Sequence, residues 1–245
     1  MALLEANNLV KIYQGRRVVD QISFVLQPRE IVGLLGRNGS GKTTTFRMVI
    51  GMATPDEGTV VFDGCEVTWL PMYQHARLGI GYLPQERSDF RNLSVWNNLM
   101  IVLETLKMNR RQRAGRASEL LEFFGLLKDK KLRSDHLSGG QRRKLEIARA
   151  LCTQPKLILL DEPFSGVDPI TVEDLQREIQ RLRAQFGQSL LVSDHNVTQT
   201  LAVCDRALII HEGRKLAEGT PRQIINDPAV RSVYLGNTFR GDEFG

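Results

Sequence analysis

The chain lacks the features that would tie it to a membrane or to an oxidising compartment. No apolar run approaches the ~20 residues needed to cross a bilayer, and the amino terminus carries no secretory-leader pattern. The expectation is a cytosolic protein that reaches the cytoplasmic face of a membrane only through a partner. Cysteine is scarce: Cys65, Cys152 and Cys204 are widely spaced and form no CxxC pair. That argues against a disulfide framework or a zinc site. Internal repeats, low-complexity linkers and long heptad tracts are also missing. Charge is modest, +5 over 245 residues. Much of it clusters in Arg110, Arg111, Arg113 and Arg116, read here as the solvated face of a helix rather than an anion-binding patch. What is present is an ordinary globular composition, 42% apolar and 25% charged. The length suits one large α/β domain, or a core with an inserted subdomain.

Against that background one stretch stands out. Gly36-Arg37-Asn38-Gly39-Ser40-Gly41-Lys42-Thr43 fits G-x-x-x-x-G-K-[ST], a phosphate-binding loop. It follows the apolar run Ile31-Val32-Gly33-Leu34-Leu35 and opens a helical stretch from Thr44 that Gly51 stops. The glycines let the backbone wrap closely, and the N–H groups from Arg37 to Thr44 face a phosphate. Lys42 is placed to reach the β- and γ-phosphates, and the Thr43 hydroxyl to meet Mg²⁺.

The segments before this loop, residues 3–13 and 18–26, read as two strands and imply an antiparallel layer added to a parallel core. Tyr13 ends the first, where it could stack on an adenine ring or simply pack on the surface. Asp63-Gly64 marks a hairpin, residues 70–78 a short helix, and residues 79–83 a buried strand closed by Pro84-Gln85-Glu86. From Asn92 the pattern turns helical, with Ser94 as N-cap of a helix over residues 95–107 and a second helix over 110–124. Leu137-Ser138-Gly139-Gly140-Gln141 then precedes a helix over 142–151. Its glycines form either a second anion nest or a plain loop. Lys156-Leu157-Ile158-Leu159-Leu160-Asp161-Glu162-Pro163 is an apolar strand ending in two acids. In a phosphate-loop protein such an Asp161 positions Mg²⁺, and Glu162 is placed to take a proton from an attacking water. Gln85 and His195, at the ends of other core strands, could reach Mg²⁺, the water or the γ-phosphate, or could be structural.

Taken together in this order, the residues resemble the ATPase subunits of ABC transporters. Tyr13 matches the adenine-stacking aromatic, Gln85 the Q-loop, Leu137 to Gln141 the LSGGQ signature and Asp161-Glu162 the Walker B pair. Ser165 to Asp168 match the D-loop and His195 the switch histidine. The resemblance implies an α/β fold: a P-loop core with a mostly parallel sheet, an antiparallel β layer and an inserted helical subdomain. One domain then spans 1–245, with residues 1–85 and 151–245 as core and about 86–150 as the helical part. It implies ATP and Mg²⁺ as cofactors, with Mg²⁺ held by Thr43, Gln85 and Asp161. It also implies a homodimer in which Ser138, Gly139, Gly140 and Gln141 of one subunit close over ATP held by the other.

Within the family the resemblance is to the lipopolysaccharide-export branch. It rests on G-R-R-V-V-D at 15–20, G-I-G-Y-L-P-Q-E at 79–86, F-R-N-L-S-V-W-N-N-L at 90–99, S-D-H-N-V at 193–197, T-L-A-V-C-D-R-A at 200–207 and V-Y-L-G-N-T-F at 233–239. That branch implies two integral-membrane transport proteins docked near Phe90 and Arg91, at the inner membrane, with no direct contact to nucleic acid. For those two residues, packing inside the helical subdomain is the other reading. Arg37 stands where the branch usually has Pro, Gln141 where it has Glu, and Arg87-Ser88-Asp89 is more polar than usual. The alternatives are a branched-chain amino-acid importer ATPase, which shares the layout, and a soluble ABC ATPase acting on ribosomes or nucleic acid. The second usually carries paired cassettes or a long coiled coil.

Overall fold

Strand-forming sequence in the first quarter of the chain builds an outer layer. The structure, a computed structural model, describes residues 1–235. β1 (Leu4–Tyr13) and β2 (Arg16–Leu26) pair antiparallel across Gln14-Gly15, both at positive φ (51° and 77°), which is what a tight two-residue turn requires. β1 also pairs with β4 (Glu57–Phe62), which turns at Asp63-Gly64 into the short β5 (Cys65–Glu66). The layer runs β2-β1-β4-β5.

The second sheet is the core. β3 (Ile31–Leu35), β6 (Ile80–Leu83), β7 (Leu157–Asp161), β8 (Ser189–Asp194) and β9 (Arg206–His211) lie parallel, and β10 (Arg214–Gly219) adds an antiparallel edge in the order β10-β9-β3-β8-β7-β6. Every residue of β3, β7 and β8 is buried, as expected of parallel strands covered on both faces. Alternation sends Ile31, Leu35, Ile158, Leu160, Leu190 and Val192 into a core shared with the helices. Val32, Leu34, Leu157, Leu159 and Leu191 go into a second core with Leu9, Ile22, Phe46 and Phe62. In register, Leu35 meets Asp194 and Asp161 meets Ser193. The loops leaving β3, β7 and β8 therefore converge on one sheet edge, where ligands gather in open α/β sheets.

The helices are α1 (Lys42–Val49), α2 (Met72–Leu78), α3 (Val95–Leu103), α4 (Arg110–Phe123), α5 (Gly139–Leu151), α6 (Pro169–Phe186), α7 (Val197–Leu201) and α8 (Pro221–Asn226). Ser94 caps α3 by accepting from the Asn97 N–H. Asn109 and Gln112 form a capping box on α4, and Ser138 and Gln141 form another on α5.

Several expectations shift. α1 starts at Lys42, inside the phosphate-loop motif. α3 stops at Leu103 rather than Lys107, where the Thr105 hydroxyl donates to the Val102 carbonyl at 2.7 Å, competing with the helical ladder. α5 starts at Gly139, so Gly139, Gly140 and Gln141 form a helical first turn rather than a loop. Arg116 is not on a solvated face: it is 9% exposed, pairs with Glu119 at 2.8 Å and donates to the Leu151 carbonyl at 2.9 Å. α7 has too few apolar residues to show periodicity; only its cap, Asn196 accepting from the Gln199 N–H, marks it. Residues 236–239 of the terminal V-Y-L-G-N-T-F segment, and the tail beyond, lie outside the described residues.

The segment around Phe90 is held by one buried amide. Asn98 is fully buried; its Oδ1 accepts from the Phe90 N–H at 2.8 Å, and its Nδ2 faces the Phe90, Leu93 and Ser94 carbonyls. Truncating it leaves the Phe90 N–H without its acceptor and takes a second donor from three carbonyls that keep main-chain partners. Asn98→Ala is expected to cost about 1–3 kcal/mol, read as a lower denaturant midpoint at unchanged m-value. An unchanged midpoint would remove this role.

Candidate nucleotide site

The phosphate loop follows directly from β3. Glycine is required in it for reasons of space. A Cβ on Gly36 would lie 2.4 Å from the Ile210 carbonyl oxygen and from Ser40 Oγ. Gly41, at φ 108°, would place a Cβ 2.7 Å from the Val18 carbonyl oxygen. The loop thus turns sharply into α1, whose first turn points its N–H groups at the sheet edge. Lys42, 4% exposed, donates to the Gly36 carbonyl at 2.6 Å and to the Arg37 carbonyl at 3.1 Å. Burial lowers its pKa, opposed by the nearby carboxylates of Glu162, Asp194 and Asp161.

Val18, Asn38, Gly39, Gly41, Lys42, Thr43, Thr44, Gln85 and Glu162 line one cleft of about 350 Å³. Glu162 sits there at φ 46°, an uncommon left-handed conformation for a non-glycine residue, with its N–H on the Ser193 carbonyl at 2.9 Å. Its Oε2 accepts from Gln85 Nε2 at 2.8 Å and lies 3.4 Å from His195 Nδ1. Three residues from three separate strand ends therefore meet at one carboxylate. Asp161, 1% exposed, accepts from the Ser193 hydroxyl at 2.5 Å and from the Tyr82 hydroxyl at 3.3 Å. Burial, then the Asp161 carboxylate, raise the Tyr82 pKa and keep that hydroxyl a donor.

Other predicted residues stand apart. Tyr13, 45% exposed, lies at the tip of the β1–β2 hairpin with the Lys11 ammonium 5.5 Å from its ring centre, outside the cleft lining. Ser138, Gly139, Gly140 and Gln141 do not line the cleft of their own chain either. Ser138 Oγ caps its own helix, and a Cβ on Gly140 would lie 2.3 Å from Thr171 Cγ2, so α5 starts in close contact with α6.

Sequence reasoning missed several supports. Asp194 holds the His195 turn by accepting from the His195 and Asn196 N–H groups at 2.7 and 2.9 Å; burial raises its pKa. Arg143, largely buried, donates to the Pro84 and Asp161 carbonyls at 3.1 and 3.2 Å and to Glu146 at 3.1 Å, joining α5 to both strand ends. The Tyr234 hydroxyl donates to the His195 carbonyl at 2.9 Å. Arg143 and Tyr234 carry no local pattern, since their partners are main-chain atoms distant in sequence. Arg87-Ser88-Asp89 also turns inward: the Ser88 N–H meets Glu146 at 2.8 Å, and Asp89 accepts from Arg87 and from the Ser134 hydroxyl. A larger hollow, about 540 Å³, lies at the opposite sheet end among Arg29, Lys156 and Gln188, and contains none of the motif residues.

Comparison with known proteins agrees with the cleft. The sequence pattern described as "ABC transporter" matches residues 19–165, and one described as "Branched-chain amino acid ATP-binding cassette transporter" matches residues 214–240. The chain is 52% identical over 241 residues (98% of this chain, 100% of the relative) to the "Lipopolysaccharide export system ATP-binding protein LptB" of Escherichia coli strain K12. It is 51% identical over the same shares to the protein of that name in Haemophilus influenzae. Among solved structures it matches the ADP conformation of MJ1267, "an ATP-binding cassette of an ABC transporter", with TM-score 0.87 and 27% identity over 96% of this chain and 99% of that one. A pattern match across 147 residues and near-full-length relatives at half identity make the conclusion plain: this chain belongs to the ABC transporter family, as an ATP-binding subunit that couples ATP hydrolysis to transport.

Proposed function

We propose that the chain powers lipopolysaccharide export, hydrolysing ATP between two copies of itself beneath two integral-membrane transport proteins of the LptF/LptG kind. The likeness to lipopolysaccharide-export ATPases along 98% of the chain carries this reading. The importer reading rests on the 27 residues at 214–240, against 98% of the chain for the export ATPases, and is the weaker of the two. Peripheral attachment through partners agrees with the chain, since among the described residues no helix is long and apolar enough to cross a membrane.

The chemistry is in-line attack of water on the γ-phosphate, for which the protein supplies positioning and electrostatics. The main-chain N–H groups from Arg37 to Thr44 and the Lys42 ammonium hold the phosphates. Glu162 is the general base, oriented by Gln85 and His195, and His195 also faces the γ-phosphate. The Thr43 hydroxyl, the Asp161 carboxylate and the Gln85 side chain would hold Mg²⁺, which when bound would offset phosphate charge. These are oxygen donors, the type Mg²⁺ takes, with substrate phosphates completing its shell, and Thr43 and Gln85 line the same cleft as Lys42 and Glu162. Buried Ser40 Oγ, without a partner, leaves one more polar atom in the cradle.

Ser138, Gly139, Gly140 and Gln141 reach ATP only from a second copy, with the first turn of α5 aimed at the phosphates and Tyr13 stacking on the base. Residues 86–150 then act as the part that moves against the core, 1–85 and 151–245. The docking surface lies beside α2 and the Phe90 segment, where Trp69, Met72, Tyr73, Phe90 and Ile101 are each at least 40% exposed. Arg149 stacks on Phe90 at 4.9 Å and lines a cleft of about 210 Å³ between α2 and α5.

Trapping the ATP-bound complex with Glu162→Gln in the protein's own cells and identifying what co-purifies tests the assignment. Two export proteins with large periplasmic domains are expected; a polytopic amino-acid permease would transfer the chain to the importers. Phe90→Ala is expected to lose those partners while the isolated chain keeps its ATPase activity, and full retention would move the docking surface elsewhere.

A further inference from the structure

The cleft between α2 and α5 is connected to the nucleotide site by two side chains in its wall, to neither of which the nucleotide motifs assign a role. Tyr82, on β6, lines the cleft and donates its hydroxyl to Asp161 at 3.3 Å. His75, on α2, also lines the cleft and is 1% exposed. Its Nδ1 lies 3.0 Å from the carbonyl of Val49, the last residue of α1, and its Nε2 lies 3.0 and 3.1 Å from the Val67 and Leu70 carbonyls. A carbonyl can only accept, so the ring ties down these carbonyls through whichever of its nitrogens carries the N–H. The ring is also closely boxed: a Cβ on Gly51, at φ 73°, would come within 2.8 Å of it. The segment it grips on the outer side carries Trp69, 70% exposed, and its own helix carries Met72 and Tyr73. The side it grips on the inner side is the far end of the helix that begins with Lys42 and Thr43.

We propose that Tyr82 and His75 are the positioning residues through which an occupant of this cleft acts on the nucleotide site, Tyr82 by setting the Asp161 carboxylate and His75 by setting the end of α1. The proposal rests on the docking reading above. An element seated in the cleft presses on the Tyr82 ring and on α2. Both displacements pass through a single hydrogen-bonded side chain, with no intervening flexible loop. Contiguity alone does not establish coupling; the coupling is therefore read as a ratio.

The test uses the complex with its membrane proteins and, separately, the isolated chain. Tyr82→Phe removes one hydroxyl, and His75→Phe keeps a ring against Gly51 but removes its hydrogen-bonding nitrogens. Three quantities are measured: co-purification with the membrane proteins, turnover in the complex divided by turnover of the isolated chain, and affinity of the isolated chain for a fluorescent ATP analogue in EDTA. The expected result is normal assembly, affinity within about twofold and a ratio lowered at least about fivefold, with His75→Gln, which keeps a donor, retaining more of the ratio than His75→Phe. An unchanged ratio in an assembled complex overturns the proposal. So does a loss of thermal stability and basal turnover with the ratio preserved, which is the mark of packing alone. If His75→Phe does not fold, Tyr82→Phe decides. A wild-type chain that captures no membrane protein overturns the docking reading, and the proposal with it.

Discussion

Glu162→Gln is expected to lower ATP turnover at least about 100-fold while leaving ATP affinity within about twofold. The substitution keeps size and shape, so the left-handed backbone at φ 46° and the N–H contact to Ser193 persist. What it removes is the proton acceptor, and general-base catalysis is worth about 10²–10⁴ in rate. Binding survives because phosphate affinity resides in the α1 amides and Lys42, which the change does not touch. The same variant should accumulate as an ATP-bound dimer, visible as a doubling of mass by light scattering on adding ATP. Wild-type turnover would remove Glu162 from the role of base.

The second large effect is at Lys42. Lys42→Ala is expected to weaken ATP binding about 10- to 100-fold, from the loss of a charge-assisted contact worth about 1.5–3 kcal/mol, and to abolish measurable turnover. It should also act on the empty protein. The ammonium lies among the carboxylates of Glu162, Asp194 and Asp161, so its removal leaves three buried acids short of a compensating charge. Titration with a fluorescent ATP analogue and thermal unfolding without nucleotide check the two halves. Undiminished affinity would mean that the loop amides alone hold the phosphates.

Much of the fold was legible because parallel-core strands announce themselves. Leu157 to Leu160 and Leu190 to Val192 are continuous apolar runs, and the glycine loop between an apolar run and a helix has one common use. The Asp63-Gly64 hairpin was legible from turn chemistry. Three things were not. Helix starts at the two functional glycine stretches were placed too late, because Gly at 139 and 140 lowers helix propensity while the Ser138–Gln141 capping box offsets it. The Arg cluster misled because charge says nothing about which residue of a helix faces a neighbour: Arg116 covers Phe186, with its guanidinium 5.6 Å from the ring centre. Three supports of the site, Arg143, Tyr82 and Tyr234, bond to groups distant in sequence, and long-range contacts of that kind leave no period or motif. The polarity of the Arg87-Ser88-Asp89 segment is explained by the bonds of Ser88 to Glu146, of Ser134 to Asp89 and of Arg87 to Asp89.

The central claim is that ATP hydrolysis by this chain moves lipopolysaccharide. The direct measurement reconstitutes the complex it forms with its membrane partners into liposomes loaded with lipopolysaccharide and follows transfer to a soluble acceptor. The account predicts transfer that requires ATP and fails with Glu162→Gln. ATP hydrolysis without lipopolysaccharide movement, or ATP-driven uptake of a branched-chain amino acid by the same complex, would contradict it.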